Sequence, residues 1–292
     1  MPKHKRQSLK RLLDTFASPQ NSFSQLNPSY KNGDWIIPFY GYEDSQYILA
    51  KNMVALFGVA SLGLPVITKG YTLIQKFRSL DKGTQREIAY DLSHQLKIAA
   101  LGTSIALRNE NANVYEIGPC LGLSSLHYSR WIKEKGIDPS KAIYKLTAVE
   151  INEDYVKAAK SLLEIVNKEF ISKVEYICED ATVYLPRHMK EGDIVFSSMA
   201  QPEVCSCILE LSHSIKINFV LSYGEILNLK SIEKTGKTFE DQIDPNLYDV
   251  YPFEDKEYNI FAPEIQTFPK ELRGKKKMKR FGVLVLPKAE RD

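Results

Sequence analysis

Along the middle of the chain, apolar positions follow a helical period in some stretches and pack into short continuous runs in others. From Gly83 to Leu107, residues Ile88, Leu92, Leu96, Ile98, Ala99 and Leu101 recur at roughly helical spacing, with Asp81 or Thr84 as a start signal. The run NVYEIG, Asn113 to Gly118, is β-prone and ends in a glycine turn, and SSLHYSRWIKEKG, Ser124 to Gly136, reads as a helix closed by glycine. A second such unit pairs the strand YKLTAVE, Tyr144 to Glu150, with a helix from Asp154 to Asn167 whose apolar positions include Val156, Ala159, Leu162, Leu163 and Val166. Three more strands are expected over Lys173–Asp180, Gly192–Ser198 and Ile217–Gly224, with a helix over Pro202–Ser214 between the last two. Strands alternating with helices predict an α/β fold, a largely parallel sheet covered on both faces. RFGVLVLP, Arg280 to Pro287, is a further strand, expected at the sheet edge.

Two regions break this rhythm. Residues 1–82 carry Tyr30, Trp35, Phe39, Tyr40, Tyr42 and Tyr47 and then an apolar stretch around Phe57, and read as an N-terminal accessory cap ahead of a domain over 83–292. Residues 229–270, rich in Asp, Pro, Tyr and Phe, read as an insertion that shapes a pocket. The cap rings either close the core of a small accessory unit or roof an apolar or planar ligand, and the segment Tyr248 to Phe253 invites the same two readings.

With 292 residues, 43% hydrophobic and 26% charged, the composition is that of one large globular domain plus an attachment. The stretch from Asn52 to Thr68 is uncharged but broken by Gly58, Ser61, Gly63 and Pro65, and falls short of the ~20 residues of a spanning helix. The basic start, Met1 to Arg11, runs through Leu12 and Leu13 into Asp14 rather than into an apolar core. A cytoplasmic protein without a membrane partner is therefore expected. The net charge of +3 is too small to imply nucleic acid by itself. Two basic clusters stand out, Lys3, Lys5, Arg6, Lys10 and Arg11 at one end and Arg273, Lys275, Lys276, Lys277, Lys279 and Arg280 near the other. Brought together they would make a phosphate-binding face; apart they are a solvated tail and turn. Cys205 and Cys207 lie too close for a zinc ligand pair, so Cys120, Cys178, Cys205 and Cys207 are expected to be reduced and mostly buried.

The chemistry concentrates in Glu116-Ile117-Gly118-Pro119-Cys120-Leu121-Gly122, in Glu150 at the end of the next strand and in Glu179-Asp180 at the end of the one after. Glycines in a strand–helix turn let backbone approach a ligand, and the helix amino end offers free N–H groups. An acid after the second strand can accept both ribose hydroxyls, and one after the third can accept from an adenine amino group. A dinucleotide fingerprint, G-x-G-x-x-G, is not met, because Gly118, Cys120 and Leu123 supply only its first glycine.

This arrangement resembles the class I S-adenosylmethionine-dependent methyltransferases, whose first motif, an acid, any residue, glycine, three residues and glycine, is matched by EIGPCLG, with AVE supplying the acid of the second strand. The resemblance covers Asn111 to about Gly224. It implies a seven-stranded Rossmann-like sheet, mostly parallel with an antiparallel last strand, helices on both faces, and S-adenosylmethionine as cofactor. It implies that Glu116 orients the methionine amino end, that Gly118 and Gly122 make room for it, that Glu150 holds the ribose, and that Asp180, with Ala181 beside it, faces the adenine. Many members have a middle glycine where this chain has Cys120, so the backbone there must avoid positive φ.

The acceptor is narrowed mainly by exclusion. The loop SSMAQPE, Ser197 to Glu203, lacks the D/N-P-P-Y/F signature of nucleobase amino-methyltransferases and the acid cluster of metal-dependent catechol-type enzymes, so no magnesium is expected. Neither Cys205 nor Cys207 occupies the position of a pyrimidine C5 nucleophile. No catalytic residue is assigned: among the histidines, His127 in the helix after the glycine turn is a weak candidate base, with His188 and His213 behind it, and each reads more readily as a structural or solvated side chain. The resulting expectation is O- or N-methylation of a small-molecule intermediate by direct in-line transfer. RNA or protein methylation, with the basic clusters as docking surface, is the alternative, and a nucleoside-binding module without transfer is a third.

Overall fold

The computed structural model describes residues 29–31, 34–36, 79–106, 112–119, 122, 145–198, 200–259 and 277–288. A short antiparallel pair, β1 (Ser29–Lys31) and β2 (Asp34–Ile36), precedes a long helix, α1 (Lys82–Ala106). Then come β3 (Val114–Ile117), β4 (Leu146–Glu150), α2 (Glu153–Asn167), β5 (Val174–Cys178), α3 (Ala181–His188), β6 (Ile194–Ser197), α4 (Pro202–Ser214), β7 (Asn218–Gly224), α5 (Glu225–Thr235), β8 (Tyr248–Asn259) and β9 (Lys277–Pro287). The helix expected over Ser124–Gly136 lies outside the described residues, as does most of the cap.

β3 to β9 form one seven-stranded sheet of order β5-β4-β3-β6-β7-β9-β8. β5, β4, β3, β6 and β7 run parallel, and β9 lies antiparallel between β7 and β8. This is the sheet the methyltransferase resemblance implies, mostly parallel with an antiparallel last strand and helices on both faces. Every residue of β3, β4 and β6 is buried, as parallel strands covered on both sides must be. Local signals start the helices: Asn152 Oδ1 accepts from the Asp154 amide at 2.9 Å at the head of α2, where Glu153 and Asp154 also favour the helix dipole.

Two expectations are corrected. β9 is not the edge strand, because β8 lies outside it. Of the segment read as an insertion, 229–270, the described residues 229–259 instead contribute the end of α5, a 3-10 turn at Glu240–Gln242 and, over Tyr248–Asn259, the sheet's own edge strand. Its sequence hid this. Pro252 and the charges Asp249, Glu254 and Asp255 suit an outer strand, where one row of backbone groups needs no partner, but they erase the apolar alternation by which a strand is recognised.

The register sorts side chains onto two faces. Glu116, Phe196 and Val220 align across β3, β6 and β7, and so share one face with Ser222 and, through the β7–β9 pairing, with Arg280. α1 covers this face over β6 and β7. It lies so close that a Cβ on Gly102 would sit 2.5 Å from Phe196 Cδ1. On the opposite face α3, α4 and α5 close over a core that includes Tyr115, Leu185, Ile208, Phe219 and Tyr223. At the amino edge, buried Asp193 ties three strands together. Its carboxylate accepts from the Asn113 amide (2.9 Å), the Asn113 side chain (3.0 Å) and the Lys190 amide (2.8 Å), and its carbonyl accepts from Asn218 at 2.8 Å.

The Gly102 contact sets two effects against each other. Alanine would raise helix propensity by about 1 kcal/mol, but overpacking a buried ring costs about 1–3 kcal/mol. Gly102→Ala is therefore expected to lower stability in denaturant titration, and Gly102→Val more so. An unchanged or higher midpoint for the alanine variant would show that α1 is not held against Phe196 this tightly.

Candidate functional site

Parallel strands all end on one side, and here three consecutive carboxyl ends carry the predicted residues. β3 runs into Gly118, which adopts φ +64° and whose amide donates to the Val149 carbonyl at 3.0 Å. Pro119 opens a tight turn closed by the Gly122 amide on its carbonyl at 2.8 Å, and Gly122 sits at φ +70°. The two glycines serve different needs. Gly118 has open space where a Cβ would stand, whereas at Gly122 a Cβ would lie 3.0 Å from Tyr176 Oη and 3.2 Å from Ala159 Cβ. Gly118 thus leaves an open backbone corner toward solvent, and Gly122 lets the turn sink between β5 and α2. Cys120 lies outside the described residues.

Glu150 ends β4 and is buried, its Oε1 accepting from the Asn152 amide at 3.0 Å. Glu116, two residues before Gly118, is buried within β3. The Glu150 carbonyl takes the Glu179 amide at 3.2 Å, which carries the ladder into the loop after β5. There the acid pair divides. Glu179 pairs with Arg187. Asp180 caps α3, its Oδ1 accepting from the Thr182 amide and hydroxyl at 2.8 Å each, with Ala181 buried behind it. Exposed Asp180, not Glu179, is thus the acid left at the rim. Glu116, Gly118, Gly122, Glu150, Asp180 and Ala181 therefore all fall on the carboxyl side of β3, β4 and β5, or in the strand that leads to it.

One residue passed over in the sequence stands beside them. Ile151, directly after Glu150, is 70% exposed and offers an aliphatic surface beside the acid. Its signal was an apolar residue placed just outside a buried strand. Cys178 is exposed next to it, donating to the Ile151 carbonyl at 3.7 Å, contrary to the expectation of mostly buried thiols. Cys205 is buried and Cys207 half-buried, and burial pushes both thiols up, so neither is a ready thiolate.

His127 lies outside the described residues. The other two histidine candidates do not reach the glycine turn. His188 ends α3, stacked on Tyr184 with its Nδ1 2.8 Å from that residue's carbonyl. His213 lies in the last turn of α4, 3.3 Å from the Gln242 carbonyl. Of the basic clusters, the amino-terminal one is outside the described residues, and so are Arg273, Lys275 and Lys276. Lys277 and Lys279 are exposed on β9, but Met278 and Arg280 between and after them turn inward and are buried. Among the described residues no three His, Cys, Asp or Glu side chains gather as a metal site would require, and no helix is long and apolar enough to cross a membrane.

Fold and edge together define a Rossmann-like α/β protein with two left-handed glycines, a buried acid and an exposed acid gathered at its carboxyl edge. No protein-family model matches the sequence, and no curated protein matches it. Among solved structures the chain is similar to the O-methyltransferase TomG of Streptomyces achromogenes, involved in tomaymycin synthesis and in complex with SAM, at 13% identity and a TM-score of 0.45 over 85% of this chain and 92% of that one. It is similar to an O-methyltransferase of Bacillus cereus in complex with SAH at 14% identity and TM-score 0.41, over 82% and 93% of the two chains. An rRNA methylase of Streptococcus thermophilus is similar at 10% identity and TM-score 0.40, over 69% and 97%.

The two glycines make a graded prediction. Gly118→Ala is expected to cost about 1–2 kcal/mol for its left-handed backbone alone. Gly122→Ala adds the Tyr176 and Ala159 contacts and should lower the melting temperature further. Equal losses at the two positions, read by calorimetry, would contradict the packing described at Gly122.

Proposed function

We propose that the chain is an S-adenosylmethionine-dependent methyltransferase. The observation that carries this is the single carboxyl edge on which the two left-handed glycines of the turn after β3 stand beside Glu150, at the end of β4, and Asp180, just after β5. The donor set fits the nucleoside. Glu150 accepts from the ribose hydroxyls, Ile151 lies against the base, and Asp180, whose Oδ1 is engaged in the cap, takes the adenine amino group. Open space at Gly118 admits the amino-acid end, which Glu116 below it orients through backbone or water. When bound, the cofactor supplies a methyl group on a sulfonium centre.

The acceptor we infer is a small molecule methylated on oxygen or nitrogen. β6 is the neighbour of β3 on the side away from β4, so with ribose at β4 and adenine at β5 the reacting end lies toward the loops after β6 and β7. Transfer is in-line and asks of these loops chiefly alignment and exclusion of water. Of the basic run near the carboxyl end, the described part on β9 places Lys277 and Lys279 outward and Met278 and Arg280 inward, as strand alternation requires.

Calorimetric titration with S-adenosylhomocysteine tests the proposal. Glu150→Ala is expected to weaken binding about tenfold to a hundredfold, the worth of hydrogen bonds to a charged group. Asp180→Asn should weaken it only a few-fold while leaving the melting temperature in place, because asparagine also caps helices. Absence of binding by the unaltered chain, or a Glu150→Ala variant that binds as well as the parent, would sink the methyltransferase reading.

A further inference from the structure

We propose that His94 is a positioning residue that sets the loop after β6, the part of the edge that faces the methyl acceptor. The inference rests on the methyl-transfer reading of that edge. His94 Nε2 lies 2.6 Å from Ser222 Oγ, joining α1 to β7 across 128 residues of sequence. Both residues are buried, at 1% and 0% exposure. A buried imidazole–hydroxyl hydrogen bond stabilises little beyond what well-packed apolar side chains would, but it is directional, so the pair acts as an orientation device.

Ser222 is held in two directions at once. Its side chain reaches out of the sheet to α1, while its carbonyl lies in the sheet plane and accepts the Ala200 amide at 2.8 Å. Ala200 stands just beyond Ser197, the last residue of β6. The Ala200 bond extends the β6–β7 ladder, whose last register pair is Ser197 with Leu221, past the end of β6. α1 is therefore coupled to the acceptor loop by a chain of two contacts, His94 to Ser222 and Ser222 to Ala200. The same helix begins at Lys82, which donates to the Tyr30 hydroxyl and sits 4.1 Å from the centre of that ring, so β1 is joined to α1 as well. None of these residues lies on β3, β4 or β5, where the nucleoside is held, so the device acts on alignment and not on cofactor affinity.

The test compares His94→Leu, His94→Gln and Ser222→Ala in the full chain, following amide exchange by mass spectrometry with and without S-adenosylhomocysteine. Loss of the contact in His94→Leu and Ser222→Ala should speed exchange at Ala200 about fivefold to tenfold, while amides of β6 and β7 keep their protection. His94→Gln, whose amide can still reach Ser222 Oγ, should restore slow exchange, which a merely space-filling role would not require. Affinity for S-adenosylhomocysteine should stay within about twofold throughout, since no nucleoside contact is touched. Unchanged Ala200 exchange in His94→Leu, equal behaviour of the leucine and glutamine variants, or a uniform rise across β6 and β7 would each overturn the proposal. Failure of the parent chain to bind S-adenosylhomocysteine would instead remove the methyl-transfer reading, leaving the exchange results to decide the coupling by themselves.

Discussion

The carboxyl edge is governed by one constraint: parallel hydrogen bonding does not stop where the strands do. Gly118 N to Val149 O, Glu179 N to Glu150 O and Ala200 N to Ser222 O each carry a ladder bond into a loop, at 3.0, 3.2 and 2.8 Å. A loop bonded in this way inherits the register of its strand, and with it the spacing of about 4.8 Å between neighbouring strands. Glu150 and the acids after β5 are thus set side by side by backbone geometry before any side chain contributes. The left-handed glycines belong to the same constraint, because a chain leaving β3 must turn sharply while its amide stays bonded to β4, and Gly118 at φ +64° does both.

The division of the faces follows from solvation. Glu116, Glu150, the His94–Ser222 pair and Arg280 are buried on the α1 side of the sheet or in its contact with α1, whereas the other side packs Leu185, Ile208, Phe219 and Tyr223 into an apolar core. Burying ionisable groups costs several kcal/mol unless each has partners, so they are best collected where a polar ligand or a polar helix face can meet them. An apolar face makes the opposite demand and supplies the stability that lets the first face be polar. Tyr223 shows where the two requirements meet: its ring packs among Phe239 and Phe281 while its hydroxyl donates to Glu240, and burial and that carboxylate push its ionisation upward, keeping it protonated.

What was legible in the sequence follows from the range of each signal. β6 was readable because burial on both faces makes it a nearly continuous apolar run, β3 and β4 because short β-prone runs lead to a glycine turn and to an acid, and the glycine turn because left-handed backbone needs glycine there. Glu150 was readable because it ends β4, Glu116 because it stands two residues before the glycine turn, and Asp180 because it follows β5 at the head of α3. β8 was not, since an edge strand tolerates Pro252 and a run of charges, and β9 was then misplaced to the edge that β8 occupies. α5 has a single fully buried apolar position, Leu227, too few to print a helical period. Ile151 was overlooked because an isoleucine beside a buried strand looks like its continuation, although its side chain faces solvent.

The two halves of the edge differ in the same respect. The half with the glycine turn and the acids, over β3, β4 and β5, is built from residues a few positions apart in each of three consecutive strand–turn units, so local sequence describes it nearly completely. The other half, over β6, β7 and β9, is assembled from partners far apart in the chain: His94 with Ser222, Gly102 with Phe196, Gly224 with Arg280. No short motif can encode such contacts, because each depends on where α1 or β9 comes to rest. The glycine turn and the acids beside it can therefore be read from the sequence while the arrangement of the loops after β6 and β7 cannot, and substitutions along α1 or β9 act on those loops without touching the glycine turn or Glu150.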